Sequence, residues 1–141
     1  MDKILIDSDV VLDFFLDRLP FSEPATEIFS LCELKRIDGF VTPVIFSNVY
    51  YLLRRTSKHE RVIEKLKQLL LITDVLQMDR EVVMNALNSD FKDFEDALQN
   101  FASIKHREIK VILTRNLKDY KKSEIGAMSP ETYLQMRNLK I

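Results

Sequence analysis

The chain has no tryptophan, one cysteine, two histidines and two glycines among its 141 residues. A lone cysteine, Cys32, excludes an intramolecular disulfide and points to a reducing compartment. Its apolar neighbours make it a core residue rather than a nucleophile. His59 and His106 sit in Ser57-Lys58-His59-Glu60 and Lys105-His106-Arg107-Glu108, which read as exposed helix ends. That argues against hydrolysis by paired histidines. No apolar run reaches the length of a membrane span, and no apolar leader with a small-residue cleavage site opens the chain, so a cytoplasmic protein without membrane contact is expected. Charge of either sign is not in excess, since 21 basic and 22 acidic residues leave a net charge of -1. The global positive field of many nucleic-acid binders is therefore missing, and any such role has to rest on how charges are distributed.

What the chain does have is enough apolar material for one ordinary domain, with hydrophobic residues making up 46% of the sequence. We expect a single domain over residues 1–141. Its first informative stretch is Ile4-Leu5-Ile6-Asp7-Ser8-Asp9-Val10-Val11-Leu12-Asp13, a buried strand that runs directly into an acidic cluster. Ligands of open α/β sheets bind outside the carboxyl ends of the strands, which puts Asp7 and Asp9 at a crevice. Taken alone, Asp7 or Ser8 reads equally as the cap of the next helix.

Along the chain, Val10 to Leu16 predicts a short helix broken at Leu19-Pro20-Phe21. A second helix opens at Ser22 and keeps one apolar face through Ala25, Ile28, Phe29 and Cys32 until Gly39. Phe40-Val41 is a very short strand, and Thr42 with Pro43 opens a helix to about Arg55. Glu60 to Leu70 is helical and Ile72 to Met78 a strand. Asp79 caps a further helix, and another spans about Asp93 to Lys105 with Asp93, Asp96 and Asn100 along one border of its apolar face. Lys110 to Thr114 is a strand, followed by a polar loop from Arg115 to Tyr120. Ala127-Met128 is a short strand and Ser129-Pro130-Glu131 starts a terminal helix. Strands alternating with helices predict an α/β fold with helices on both faces of a mostly parallel sheet of four or five strands.

Three stretches taken in order, the first strand with its aspartates, Asp93-Phe94-Glu95-Asp96-Ala97-Leu98-Gln99, and Ile112-Leu113-Thr114-Arg115-Asn116-Leu117-Lys118-Asp119-Tyr120, resemble the PIN domain family and its VapC-type ribonuclease toxins. The resemblance implies a three-layer α/β/α domain and a metal-dependent endoribonuclease. Asp7, Asp96 and Asp119 are then catalytic, and Mg²⁺, with Mn²⁺ as a substitute, is held by Asp7 and Asp96 with Asp93 and Asn116. Ser8, Asp9, Asn48 and Thr114 support the pocket. Hard divalent cations take oxygen ligands, and Mg²⁺ commonly keeps several waters beside one or two carboxylates. Arg18, Arg54, Arg55, Lys58, Arg115 and Lys118 are candidate RNA contacts. Tyr50 and Tyr51 are either stacking platforms or core and dimer residues. The resemblance also implies an antitoxin partner and a homodimer.

Two positions depart from the family pattern. Many members carry Glu where this chain has Asn48, and an acid where it has Asn116; an amide offers a carbonyl oxygen but neither charge nor a base. Asp9 stands where the family often has Asn, and serves either as a compensating carboxylate or to orient the Asp7 loop. A catalytically weakened module that binds RNA or protein is the alternative. The Asp7-x-Asp9 spacing also fits a haloacid-dehalogenase-type phosphatase, with one aspartate as nucleophile and one as general acid. Against that stand the short chain, the scarcity of glycine and the lack of a late Gly-Asp motif.

Overall fold

The computed structural model describes residues 1–106 and 108–139. A five-stranded parallel sheet is assembled in the order β3-β2-β1-β4-β5, from β1 (Lys3–Ile6), β2 (Asp38–Val41), β3 (Asp74–Val75), β4 (Ile109–Leu113) and β5 (Ala127–Met128). The helices are α1 (Ser8–Phe15), α2 (Ser22–Glu33), α3 (Pro43–Leu53), α4 (His59–Ile72), α5 (Arg80–Leu87), α6 (Phe94–His106) and α7 (Pro130–Asn138), with a 3₁₀ turn at Leu117–Tyr120. The expected α/β/α architecture is present. Helices α1 to α4 and α7 pack among themselves, whereas α5 and α6 pair with each other and α6 lies on β4.

β1 is central because it is apolar without interruption: Ile4, Leu5 and Ile6 are all fully buried between neighbours on both sides. Strand order reverses there, since β2 and β3 are added on one side and β4 and β5 on the other. Side chains at the carboxyl end of β1 therefore face the crevice where the flanking connections leave in opposite directions. The core continues through Ile28, Phe29, Ile45, Val49, Ile112 and Leu113.

Most helix starts lie where capping chemistry puts them. Thr42 Oγ1 accepts from the Ile45 amide at 3.2 Å, Asp79 Oδ1 from that of Val82 at 3.1 Å and Ser129 Oγ from that of Thr132 at 3.1 Å. Among the boundaries that differ from expectation, three have a visible cause. The second helix stops at Glu33, not near Gly39, because Lys35 takes a left-handed φ of 57° and turns the chain. The next strand consequently starts at Asp38 and holds Gly39 inside it. β3 keeps only Asp74 and Val75 of the expected span, since Ile72 continues the apolar face of α4.

Gly39 marks a close approach. A Cβ there would stand 2.6 Å from Cys32 Sγ and 3.1 Å from Ile6 Cδ1. Cys32 is buried, as expected of a core residue, and burial pushes its thiol up to about 12. We expect Gly39→Ala to cost about 1–3 kcal/mol by overpacking. Adding Cys32→Ala should recover most of that in urea unfolding; equal losses in the single and double variants would show that the contact does not limit packing there.

Candidate active site

Asp7 follows the last residue of β1, and its amide donates to the Leu113 carbonyl of β4 at 3.0 Å, so the sheet itself fixes its backbone. The next residues turn into α1, and Asp7 Oδ1 accepts from the Ser8 amide at 2.8 Å. Capping and site placement are thus served by one side chain. Its other oxygen, Oδ2, accepts from Thr114 Oγ1 at 3.0 Å and lies 3.2 Å from the Tyr120 hydroxyl. That hydroxyl is also 3.3 Å from Asp96 Oδ1. Carboxylates from β1 and α6 therefore meet at one phenol oxygen at the strand-order reversal.

Asp93, Asp96 and Asn100 share a stripe of α6. Asp93 caps the helix, with Oδ1 accepting from the Asp96 amide at 3.0 Å, and remains exposed. Asn100 is buried, and its Oδ1 has no hydrogen-bond partner among the described residues. Asp119 and Asn116 lie in the loop after β4, both exposed, and the charge of Asp119 reaches Asp96. The electrostatics follow from crowding. Burial first, then the charge of Asp9, raises the Asp7 carboxyl to about 6. Burial, then the charges of Asp7, Asp93 and Asp119, raises Asp96 to about 7. Asp9 is raised as well, by burial, against the pull of the Arg115 backbone amide. The same burial and the two carboxylates push the Tyr120 phenol far above its ordinary range.

Asp9 is tied into the loop after β4, with Oδ2 accepting from the Arg115 amide at 2.9 Å and lying 3.3 Å from Thr114 Oγ1. This favours its loop-orienting role. Ser8 stands at the same corner with its hydroxyl buried and unpartnered among the described residues. Asn48 is also brought to this side: its Nδ2 donates to Glu95 Oε2 at 2.8 Å, joining α3 to α6. The acid that α3 lacks is thus faced by an acid from α6.

The candidate RNA contacts divide into two groups. Arg54, Arg55, Lys58 and Lys118 are exposed. Arg18 and Arg115 instead converge on Asp13, whose side chain is only 2% exposed. Arg115 reaches both its oxygens, with Nε to Oδ2 at 2.7 Å and Nη2 to Oδ1 at 3.0 Å, and Arg18 Nε reaches Oδ1 at 2.8 Å. Arg115 also stacks on Phe21, 4.0 Å from the ring centre. Both arginines have a structural task that sequence spacing did not show.

Sequence reading passed over Asp13, Glu95 and Tyr120 as site-building residues. Asp13 had a usable signal, an acid set directly among the apolar residues of α1. Tyr120 had none, because it ends a polar loop and is buried only by the 3₁₀ turn. Tyr50 is half-buried and its hydroxyl lies 2.9 Å from His59 Nδ1, whereas Tyr51 is exposed. His106 packs its ring on Phe40 and is not simply an exposed helix end.

A family model described as a PIN domain matches residues 3–118 of the chain. The chain belongs to the PIN domain family. Solved structures share the fold of this PIN domain at low identity. A toxin–antitoxin complex from Klebsiella pneumoniae matches with a TM-score of 0.66 and 17% identity, covering 90% of this chain and 97% of that one. VapBC2 from Rickettsia felis, bound to a DNA fragment from their promoter, gives a TM-score of 0.66 at 12% identity, over 90% and 98% of the two chains. VapC20 of Mycobacterium tuberculosis, a Sarcin-Ricin loop cleaving toxin, gives 0.59 at 16% identity, over 77% and 86%. No curated protein sequence matches the chain. PIN domains generally use divalent metal ions. The donor set here is compatible with such an ion, since it offers only oxygens and its carboxyls are raised by burial and then by neighbouring negative charge. Among the described residues no three His, Cys, Asp or Glu side chains are gathered closely enough to hold one, so the fit rests on Asp7 and Asp96 with water completing the shell.

Proposed function

We propose that this PIN domain is a Mg²⁺-dependent endoribonuclease, also served by Mn²⁺, and the toxin of a toxin–antitoxin pair. The observation that carries this reading is the meeting of Asp7 and Asp96 at one hydroxyl, at the reversal of strand order, with both carboxyls raised towards neutrality. Asp7 and Asp96 would hold the cation, with Asp93 and Asn116 at its edge. Bound there, it supplies charge neutralisation at the phosphodiester and an activated water. Asp119, exposed and close enough for its charge to act on Asp96, would accept a proton from an attacking water, and Thr114 and Asp9 hold the loop after β4. Arg54, Arg55, Lys58 and Lys118 offer exposed cations to a phosphate backbone. Arg18 and Arg115 share the single carboxylate of Asp13.

Support for the toxin reading comes from the kind of protein that shares the fold, two toxin–antitoxin assemblies and an RNA-cleaving toxin. An antitoxin partner, a homodimer and a cytoplasmic location belong to the same proposal. No described helix is long and apolar enough to cross a membrane. A second reading, a binding module without cleavage, is favoured by Asn48 and Asn116, which leave the site short of two acids.

The deciding experiment incubates a mixed RNA pool with purified protein in EDTA, Mg²⁺ or Mn²⁺, beside the Asp7→Asn, Asp96→Asn double variant. Cutting that requires metal and is lost in the variant supports the nuclease. RNA retained but uncut with both metals moves the assignment to the binding module.

A further inference from the structure

We infer that Tyr120 is the positioning residue of this site, setting the two carboxylates against each other from the protein side; this rests on the reading of Asp7 and Asp96 as metal ligands. Its hydroxyl is the one described group that touches both, 3.2 Å from Asp7 Oδ2 and 3.3 Å from Asp96 Oδ1. β1 and α6 contribute one carboxylate each and have no other described side-chain hydrogen bond joining those two. The separation of the pair is therefore set through a third element, the 3₁₀ turn that follows β4.

Three observations put the hydroxyl at the floor of the site and not in the cation's place. Tyr120 is only 2% exposed, whereas Asp93 and Asp119, whose charges act on Asp96, are exposed. Its ring is set edge-on against Phe91, which meets Phe101 in the same way, with centroids 6.4 and 6.1 Å apart, so the phenol is fixed by aromatic packing and does not turn out towards the mouth. It addresses one oxygen of each carboxylate, and Asp96 Oδ2 is left unengaged by any described residue. A hydroxyl carries one proton for two acceptors. Thr114 faces the same shortage, with its own proton between Asp7 Oδ2 and Asp9 Oδ2. Two hydroxyl protons thus serve three carboxylates, and each hydroxyl fixes a spacing as well as filling a hydrogen bond. Groups that orient metal ligands in this way typically change metal affinity by about 10–100-fold when removed.

The test is Mn²⁺ binding to the full chain, followed by the electron spin resonance of free Mn²⁺, for wild type, Tyr120→Phe and Asp96→Asn. Phenylalanine keeps the ring and its packing, and thermal unfolding without metal verifies that the variant is folded. We expect Tyr120→Phe to weaken Mn²⁺ about 10–100-fold while its unfolding transition stays cooperative. Binding lost in Asp96→Asn but unchanged in Tyr120→Phe overturns the assignment of Tyr120 and leaves the metal reading standing. Tighter binding in Tyr120→Phe also overturns it, because the hydroxyl would then stand in the cation's way. Asp96→Asn binding as well as wild type overturns the metal reading and this inference together.

Discussion

Without metal, the protein should become less stable as pH rises from about 5 to about 8, by on the order of 1–2 kcal/mol from Asp7 alone. In the folded state Asp7 holds its proton up to about 6 and Asp96 up to about 7, because burial and neighbouring charges oppose ionisation. An unfolded chain releases both near its ordinary carboxyl value, about 4. Between those limits the folded state binds more protons, so removing protons favours unfolding. The penalty is absent below the unfolded value and complete once pH has passed the folded ones. Asp96 is half open to solvent and adds less than its shift implies, because water screens it. A divalent cation replaces the lost protons, so saturating Mg²⁺ should stabilise strongly at pH 8 and weakly at pH 5. Urea unfolding at both values, with EDTA and with Mg²⁺, measures this directly. Asp96→Asn should lessen the pH slope, leaving the part due to Asp7, and remove most of the Mg²⁺ effect. Stability that stays level or rises with pH in EDTA would contradict the crowded-carboxylate account.

Asp13→Ala should destabilise the fold by about 3 kcal/mol, the low end of the range for breaking a buried ion pair. The acid is almost fully enclosed and receives one arginine through both its oxygens and a second through one. Removing it takes from two guanidinium groups the carboxylate they share. Their side chains are 40% and 30% exposed, Arg18 and Arg115 respectively, which lets water relieve part of the cost and sets the expectation at the low end. Damage should spread to the loop after β4, because Arg115 also supplies the amide that holds Asp9 and leads directly into Asn116. Arg18→Met should cost less, about 1 kcal/mol, since the two-oxygen pair with Arg115 survives. Chemical denaturation at neutral pH compares the two. Equal and small losses would show that Asp13 is no more than a surface partner that happens to be covered.

Much of this molecule was legible without coordinates because its signals are local. An uninterrupted apolar β1 running into aspartates, hydroxyl and carboxylate caps before α3, α5 and α7, and apolar faces at helical spacing each arise from residues a few positions apart. They suffice for an α/β chain with acids at strand ends; the choice of Asp7 and Asp96 as a pair came from the resemblance to the PIN domain family. Where local signals compete, boundaries moved: Lys35 ended α2 by a backbone turn that a lysine rarely marks, and the apolar face of α4 claimed Ile72 from β3.

Only the tertiary structure decided what these residues do to one another. Tyr120 is 113 positions from Asp7 and 24 from Asp96, and it touches both because β1 and β4 are neighbours while α6 crosses beside them. Arg115 is 102 positions from Asp13, and Asn48 is 47 from Glu95. Hydrogen bonds and charge pairs act over a few ångströms of space, and no spacing rule along the chain encodes that proximity. The sequence by itself determined the fold class and an acidic strand end. Packing determined which hydroxyl sets those acids, which arginines are paired and which acid faces Asn48.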